Sequence, residues 1–175
     1  LPPRIKLCKS WTLLYSLDAH GTSLTTLYTR VQAGLQKSAG GCVLVVKDME
    51  GGIFGAYVNE AFKKSESYYG NGECFLWKVE SFPPGDNFRV GPIVRAFRWT
   101  ARNDYIILSD SGFLSVGGGD GKFGLWLDSS FDKGFTTSCP AFANEPLCSP
   151  SLIKTGVDGN PEGKFEIMAV ECWAV

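Results

Sequence analysis

Residues 117–128 read Gly-Gly-Gly-Asp-Gly-Lys-Phe-Gly-Leu-Trp-Leu-Asp. Four of the first five are glycines, a density that supplies backbone freedom no other residue gives. Behind them Phe123, Leu125 and Leu127 alternate, with Trp126 on the opposite parity. That order describes a tight turn feeding a buried strand. The run also invites a phosphate-loop reading, which fails on spacing. A Walker A loop ending at Gly121-Lys122 needs Gly at 116 and Ser or Thr at 123, and the chain has Val116 and Phe123. Gly119-x-Gly121-x-x-Gly124 fits a dinucleotide fingerprint, but that fingerprint opens a helix whose N-terminus faces the pyrophosphate. Here Leu125 to Asp128 is strand-like. A kinase glycine loop has similar spacing, yet the chain is too short for a kinase and has no His-Arg-Asp. The stretch therefore reads as a turn in a β protein.

Strand patterns continue on both sides of it. Phe113–Val116, Tyr105–Leu108, Ile93–Trp99 and Cys74–Val79 are short apolar or alternating runs. Cys42–Lys47 is a continuous β-branched run, expected to be buried on both faces, and Asp48–Gly52 turns it into a return strand at Ile53–Val58. Trp11–Leu17 and Phe165–Val175 are the first and last strands expected. One helix stands out: Thr22 or Ser23 caps it, and Leu24, Leu27, Tyr28, Val31 and Leu35 share a face until Gly40-Gly41. Asn59–Gly72 reads as irregular or partly helical, Ser81–Pro92 as a surface loop, and Phe135–Pro161 as turn-rich. About eight or nine strands with one or two helices predict a mostly β chain. The expected architecture is a two-sheet antiparallel β-sandwich flanked by helices. No βαβ alternation argues for a doubly wound sheet.

The chain has 175 residues, 44% of them hydrophobic, with 5 Trp, 6 Tyr and 12 Phe, which is ample for a core without a metal or disulfide. Residues 1–10 are expected to end a linker and 11–175 to form a single domain, excised from a longer protein. Lys and Arg number 17 against 18 Asp and Glu, a net charge of -1. Such a chain lacks the electrostatic footprint of a nucleic-acid or anionic-membrane binder. No apolar run reaches membrane-spanning length. The six cysteines form no Cys-x-x-Cys pair, and no sequon or signal segment is visible, so a reduced intracellular protein is expected.

Candidate chemistry is sparse. His20 is the only histidine, placed beside Gly21 in a turn, so a zinc site or histidine-based catalysis has little to build on. Glu73 sits between a Gly70-Asn71-Gly72 turn and an apolar run; it is either a partly buried acid/base group or a pin for the turn. Asp48, Asp110, Asp120 and Asp128 fall at strand ends, where Asp makes local turn bonds. No segment offers alternating carboxylates for calcium. Cys139 and Cys148 lie in loop-like surroundings and are the thiols expected to be exposed. Catalysis thus has only His20, Glu73, Cys139 and Cys148 as weak candidates, and no cofactor or metal is expected.

Taken in order, several segments resemble the TLDc domain of the oxidation resistance proteins. They are Trp11-x-Leu-x-Tyr15-Ser16, His20-Gly21-x-Ser23-x-x-Thr26-Leu27-Tyr28, Val46-Lys47-Asp48 with Gly52-x-Phe54-Gly55-Ala56, and Tyr69-Gly70-x-Gly72-Glu73-x-Phe75-Leu76. Phe97-x-Trp99-Thr100, Gly117–Asp128, Cys139-x-x-Phe142-x-Asn144, and Phe165-x-Ile167 with Glu171-x-Trp173 complete the set. The resemblance runs from Trp11 to the C-terminus. It implies two packed antiparallel sheets with flanking helices and a role in resistance to oxidative stress. It also implies binding to the vacuolar-type proton-pumping ATPase (V-ATPase), at its catalytic sector, with control of assembly or activity. No catalytic reaction is implied. The family's charged positions correspond here to His20, Asp48, Glu73, Asp128 and Glu171. A monomer is expected, cytoplasmic, at the vacuolar or lysosomal surface or in mitochondria. The Ser81–Pro92 and Phe135–Pro161 segments look extended against the family pattern. The alternative reading is an antioxidant enzyme using a reactive cysteine or a buried carboxylate.

Overall fold

The structure, a computed structural model, describes residues 10–36, 40–80 and 91–175. Most of the expected linker end at 1–10 and of the Ser81–Pro92 loop lies outside these residues. Eleven strands follow in chain order: β1 Thr12–Ser16, β2 Cys42–Asp48, β3 Ile53–Val58, β4 Phe75–Glu80, β5 Ile93–Arg98, β6 Ile107–Ser109, β7 Phe113–Gly119, β8 Lys122–Asp128, β9 Lys133–Thr137, β10 Ile153–Thr155 and β11 Pro161–Ala174. Helix α1 spans Leu17–His20 and α2 spans Leu24–Leu35. A 3-10 turn covers Pro150–Leu152.

Hydrogen bonding runs β5-β4-β3-β2-β11-β9-β8-β7-β6, and β1 and β10 also pair with β11. All these pairings are antiparallel. The array is not a closed barrel, because β5 and β6 remain its two ends.

Strand β11 joins the two layers. Its first half pairs with β9 and β10, and its second half with β1 and β2. Gly163, Phe165 and Ile167 are buried in the first half, Val170, Cys172 and Ala174 in the second. The buried parity switches between Ile167 and Ala169, where the register with β2 also shifts. One extra residue there bends the strand and keeps both halves facing the core. Leu44, Val46, Phe54 and Leu76 from one layer share a buried cluster with Leu114, Val116, Leu125 and Leu127 from the other.

Asp120 and Gly121, with φ 54 and 72, form the two-residue loop of the β7–β8 hairpin, between Gly119 and its partner Lys122. Positive φ at both positions is the type I′ signature, which suits the twist of paired strands. Gly117–Gly119 are therefore strand rather than turn, and β7 runs past the expected end at Val116. Their lack of side chains serves packing. A Cβ on Gly118 would stand 2.6 Å from the Tyr68 hydroxyl, and one on Gly119 2.7 Å from Asn103 Nδ2.

The Ser23 hydroxyl caps α2 by accepting from Thr26 N. The helix buries Leu24, Leu27, Tyr28 and Val31. Tyr28 reaches across to donate to Asp110 O and Phe113 O at the β6–β7 turn. Residues 59–72 contain no helix. The stretch 135–161, expected to be turn-rich, holds most of β9 and all of β10. Gly134 sits under the Phe165 ring, and β10 is only 3 residues long, so neither leaves a clear alternation in sequence.

Candidate functional site

Asp48 ends β2 fully buried. Its Oδ1 accepts from Glu50 N at 3.1 Å, Gly52 N at 2.8 Å and Ser149 Oγ at 2.8 Å, and Oδ2 accepts from Ser149 N at 2.8 Å. One carboxylate thus closes the β2–β3 turn and staples it to a segment about a hundred residues away in sequence. Buried charge of this kind persists only with such a full set of donors.

His20 ends α1, where its Nδ1 accepts from Ser16 N at 2.9 Å and its ring stacks on Tyr15 at 5.8 Å. With Nδ1 accepting, the neutral ring carries its proton on Nε2. Asp128 Oδ1 accepts from Asp132 N and Lys133 N across the β8–β9 turn. Glu171 Oε2 accepts from Trp173 Nε1 at 2.8 Å. Glu73 is exposed, and the Asn71 side chain accepts from Glu73 N at 2.9 Å within the turn. These charged positions occupy separate turns and strands. Among the described residues, no three His, Cys, Asp or Glu side chains form a metal-ligating group.

Cys139 and Cys148 are buried, against the expectation of exposure. The segment carrying them is irregular in backbone but packs inward, with Ala141, Phe142 and Leu147 in the core. Burial pushes the Cys139 thiol up to about 11 and the Cys148 thiol up to about 12, the latter helped by the neighbouring Asp48 charge. Cys139 Sγ lies 3.3 Å from Asn144 Oδ1. A thiol held protonated in this way is a poor nucleophile. All five described cysteines are free and buried.

Two surface features went unread in the sequence. At one edge, Lys78 pairs with Glu145 and Glu80, and Arg95 with Glu80 at 3.2 Å and Glu145 at 3.1 Å. The four charges bind β4 and β5 to the segment after β9. The second feature is the face of β2–β5 that points away from the core. Val43 and Tyr57 form a separate apolar cluster there with Val45, Phe75, Trp77 and Trp173. Tyr57 stacks on Phe75 at 5.2 Å, and Trp77 lies over Gly55, where a Cβ would stand 3.1 Å from its ring. A groove of about 430 Å³ runs between this cluster and Val94 and Ala96 of β5, with Trp11 at its border. The open face of an antiparallel sheet is ordinarily polar, so a continuous apolar groove on it marks a contact surface. The alternating Val43, Val45 and Phe75, Trp77 were visible in sequence, but continuous apolar strands do not say which side is covered.

Residues 1–175 match the TLDc domain family. The chain is 43% identical over 177 residues to "Oxidation resistance protein 1" of Yarrowia lipolytica, covering 100% of this chain and 68% of that one. It is 40% identical over 191 residues to the protein of the same name in Kluyveromyces lactis, covering 100% and 70%. With the Podospora anserina protein of that name the identity is 36% over 206 residues, covering 100% and 56%.

Proposed function

The chain belongs to the TLDc domain family, and from that membership we propose that it is a protein-interaction module acting in resistance to oxidative stress. Its partner is the V-ATPase, bound through subunits of the catalytic sector, and binding alters how the sectors assemble or work. The relatives' name, oxidation resistance protein, supports the stress role. The observation that carries the module reading is the use made of the charged candidates. His20, Asp48, Asp128 and Glu171 each hold a backbone or tryptophan N–H in place. What lies open instead is an apolar groove on a sheet face.

The antioxidant-enzyme reading is weaker, because Cys139 and Cys148 are buried and protonated at neutral pH. Pull-down of purified ATPase catalytic sector, followed by an assembly assay, tests the proposal. Retention with a shift in the assembled fraction is the expected result. Neither retention nor a shift overturns it. Peroxide consumption that disappears in a Cys139→Ser, Cys148→Ser double variant would instead favour the enzyme.

A further inference from the structure

Strand β5 pairs with β4 on one side and, among the described residues, with nothing on the other. Its register with β4 is unbroken over six pairs, from Phe75↔Arg98 to Glu80↔Ile93. Proteins usually blunt such an edge with proline, charged side chains or a bulge inside the strand. Ile93–Arg98 has no proline and no bulge, its charge is confined to Arg95 and Arg98, and it exposes Ile93 at 45% and Val94 at 66%. Among the described residues, a row of main-chain groups without a strand partner therefore borders the apolar groove.

The two faces of β5 differ in charge. Val94 and Ala96 line the groove, and strand alternation puts Arg98 on the same side. Arg95, on the opposite side, is engaged by Glu80 and Glu145. Arg98 is exposed and has no ion pair among the described residues. The side chain of Trp77 lines the groove, and its indole N–H is buried without a hydrogen-bond partner among the described residues.

We propose that the β5 edge and this groove dock an extended segment of a partner protein as an added strand, its groove-side residues being two apolar positions followed by an acidic one. Main-chain pairing supplies affinity and alternate side chains supply specificity, the usual division in strand addition. The apolar pair packs beside Val94 and Ala96, and the carboxylate meets Arg98. A second copy of this chain fits less well, since β5 against β5 brings two basic strands together. The chain's own first residues carry Arg4, Lys6 and Lys9, the wrong sign for Arg98. The inference deepens the module reading, but its test uses no ATPase, so either can fail alone.

The probes are fluorescein-labelled hexapeptides Thr-Φ-Thr-Φ-Thr-Glu, with Φ as Val, Leu or Phe, and the same set in reverse order. Anisotropy with the whole chain should show saturable binding by at least one. N-methylation of one alternate set of amides, either the Thr or the Φ set, should abolish it, while methylation of the other set leaves it intact. Arg98→Glu should weaken binding about tenfold or more, and a Glu→Lys probe should recover it on that variant. Val94→Lys should weaken both. Circular dichroism checks that these exposed substitutions leave the fold unchanged. No binding by any probe up to about 1 mM, equal effects of the two methylation sets, or indifference to Arg98→Glu would overturn the proposal.

Discussion

The β2–β3 and β7–β8 hairpins fix their turns by opposite means. At β2–β3 a single side chain does the work: Asp48 gathers two turn N–H groups and both the N–H and the hydroxyl of Ser149. At β7–β8 the work is done by missing side chains, so that Tyr68, Asn103, Cys139 and Phe142 can close onto bare backbone. The first turn depends mainly on polar satisfaction, although Gly52 has no room for a Cβ beside Asp48 and Ser149, and the second hairpin depends mainly on space along its glycine strand. They should therefore fail differently.

The largest effect is expected at Gly117, which combines φ +84 with Phe142 Cδ2 at 2.7 Å and Cys139 Sγ at 2.8 Å from any added Cβ. Gly117→Ala should lose about 4 kcal/mol in urea unfolding, as backbone strain and overpacking act together. Asp48→Ala leaves its buried donors unpaired and should cost about 3 kcal/mol. Ser149→Ala, removing one of those donors, should cost about 1 kcal/mol. If Asp48→Ala proves neutral while Gly117→Ala does not, the carboxylate is dispensable and the contrast between the turns is lost.

A pH experiment separates the two regions further. Cys139 lies against the glycine strand and Cys148 beside Asp48, and their thiols rise from the ordinary 9.0 to about 11 and about 12. Above about pH 9 the unfolded chain has released protons that the folded chain still holds. Their stabilising contribution is thus complete below pH 9 and lost as pH climbs through 11 to 12. Replacing either Cys with Ala should flatten that decline in alkaline urea titrations.

Smallest of all is Gly121→Asn. Its φ is +72, nothing lies within 4 Å of an added Cβ, and Asn tolerates this region, so the loss should stay below about 1 kcal/mol. A large loss there would mean that the loop itself, rather than the strand before it, is the sensitive part.

These turns also mark how far the sequence could be read. Hydrophobic patterning located β2, β3, β4, β5, β8 and α2 almost to the residue, since all of these but the edge strand β5, where only Phe97 is buried, pack substantially against the core. Asp48 and Asp128 were legible as turn residues, since short carboxylates at strand ends bond nearby N–H groups. What Asp48 holds at Ser149 was not legible, because that bond depends on where a distant segment comes to rest. The same holds for Cys139 and Cys148. Their neighbours lack periodicity, which reads as surface, yet an irregular segment whose polar groups are met by Thr136, Asn144 and Asp48 packs as deeply as a strand. The parity switch in β11 escaped for a related reason: an apolar run on both faces hides a bulge that only pairing reveals.

That last strand sets an order of events during synthesis. β11 lies between β2 and β9 in the sheet, yet it leaves the ribosome after both of them and after every other described strand. Until it emerges, β2 and β9 each present an open edge, and the layers they belong to have no covalently continuous strand between them. The domain therefore completes its core only once residues 161–174 are free to pair, and nascent chains depend on protection from edge-to-edge association until then. A release-delayed chain stalled before residue 161 should be digested readily by protease, and one extended past 175 by a long linker should resist.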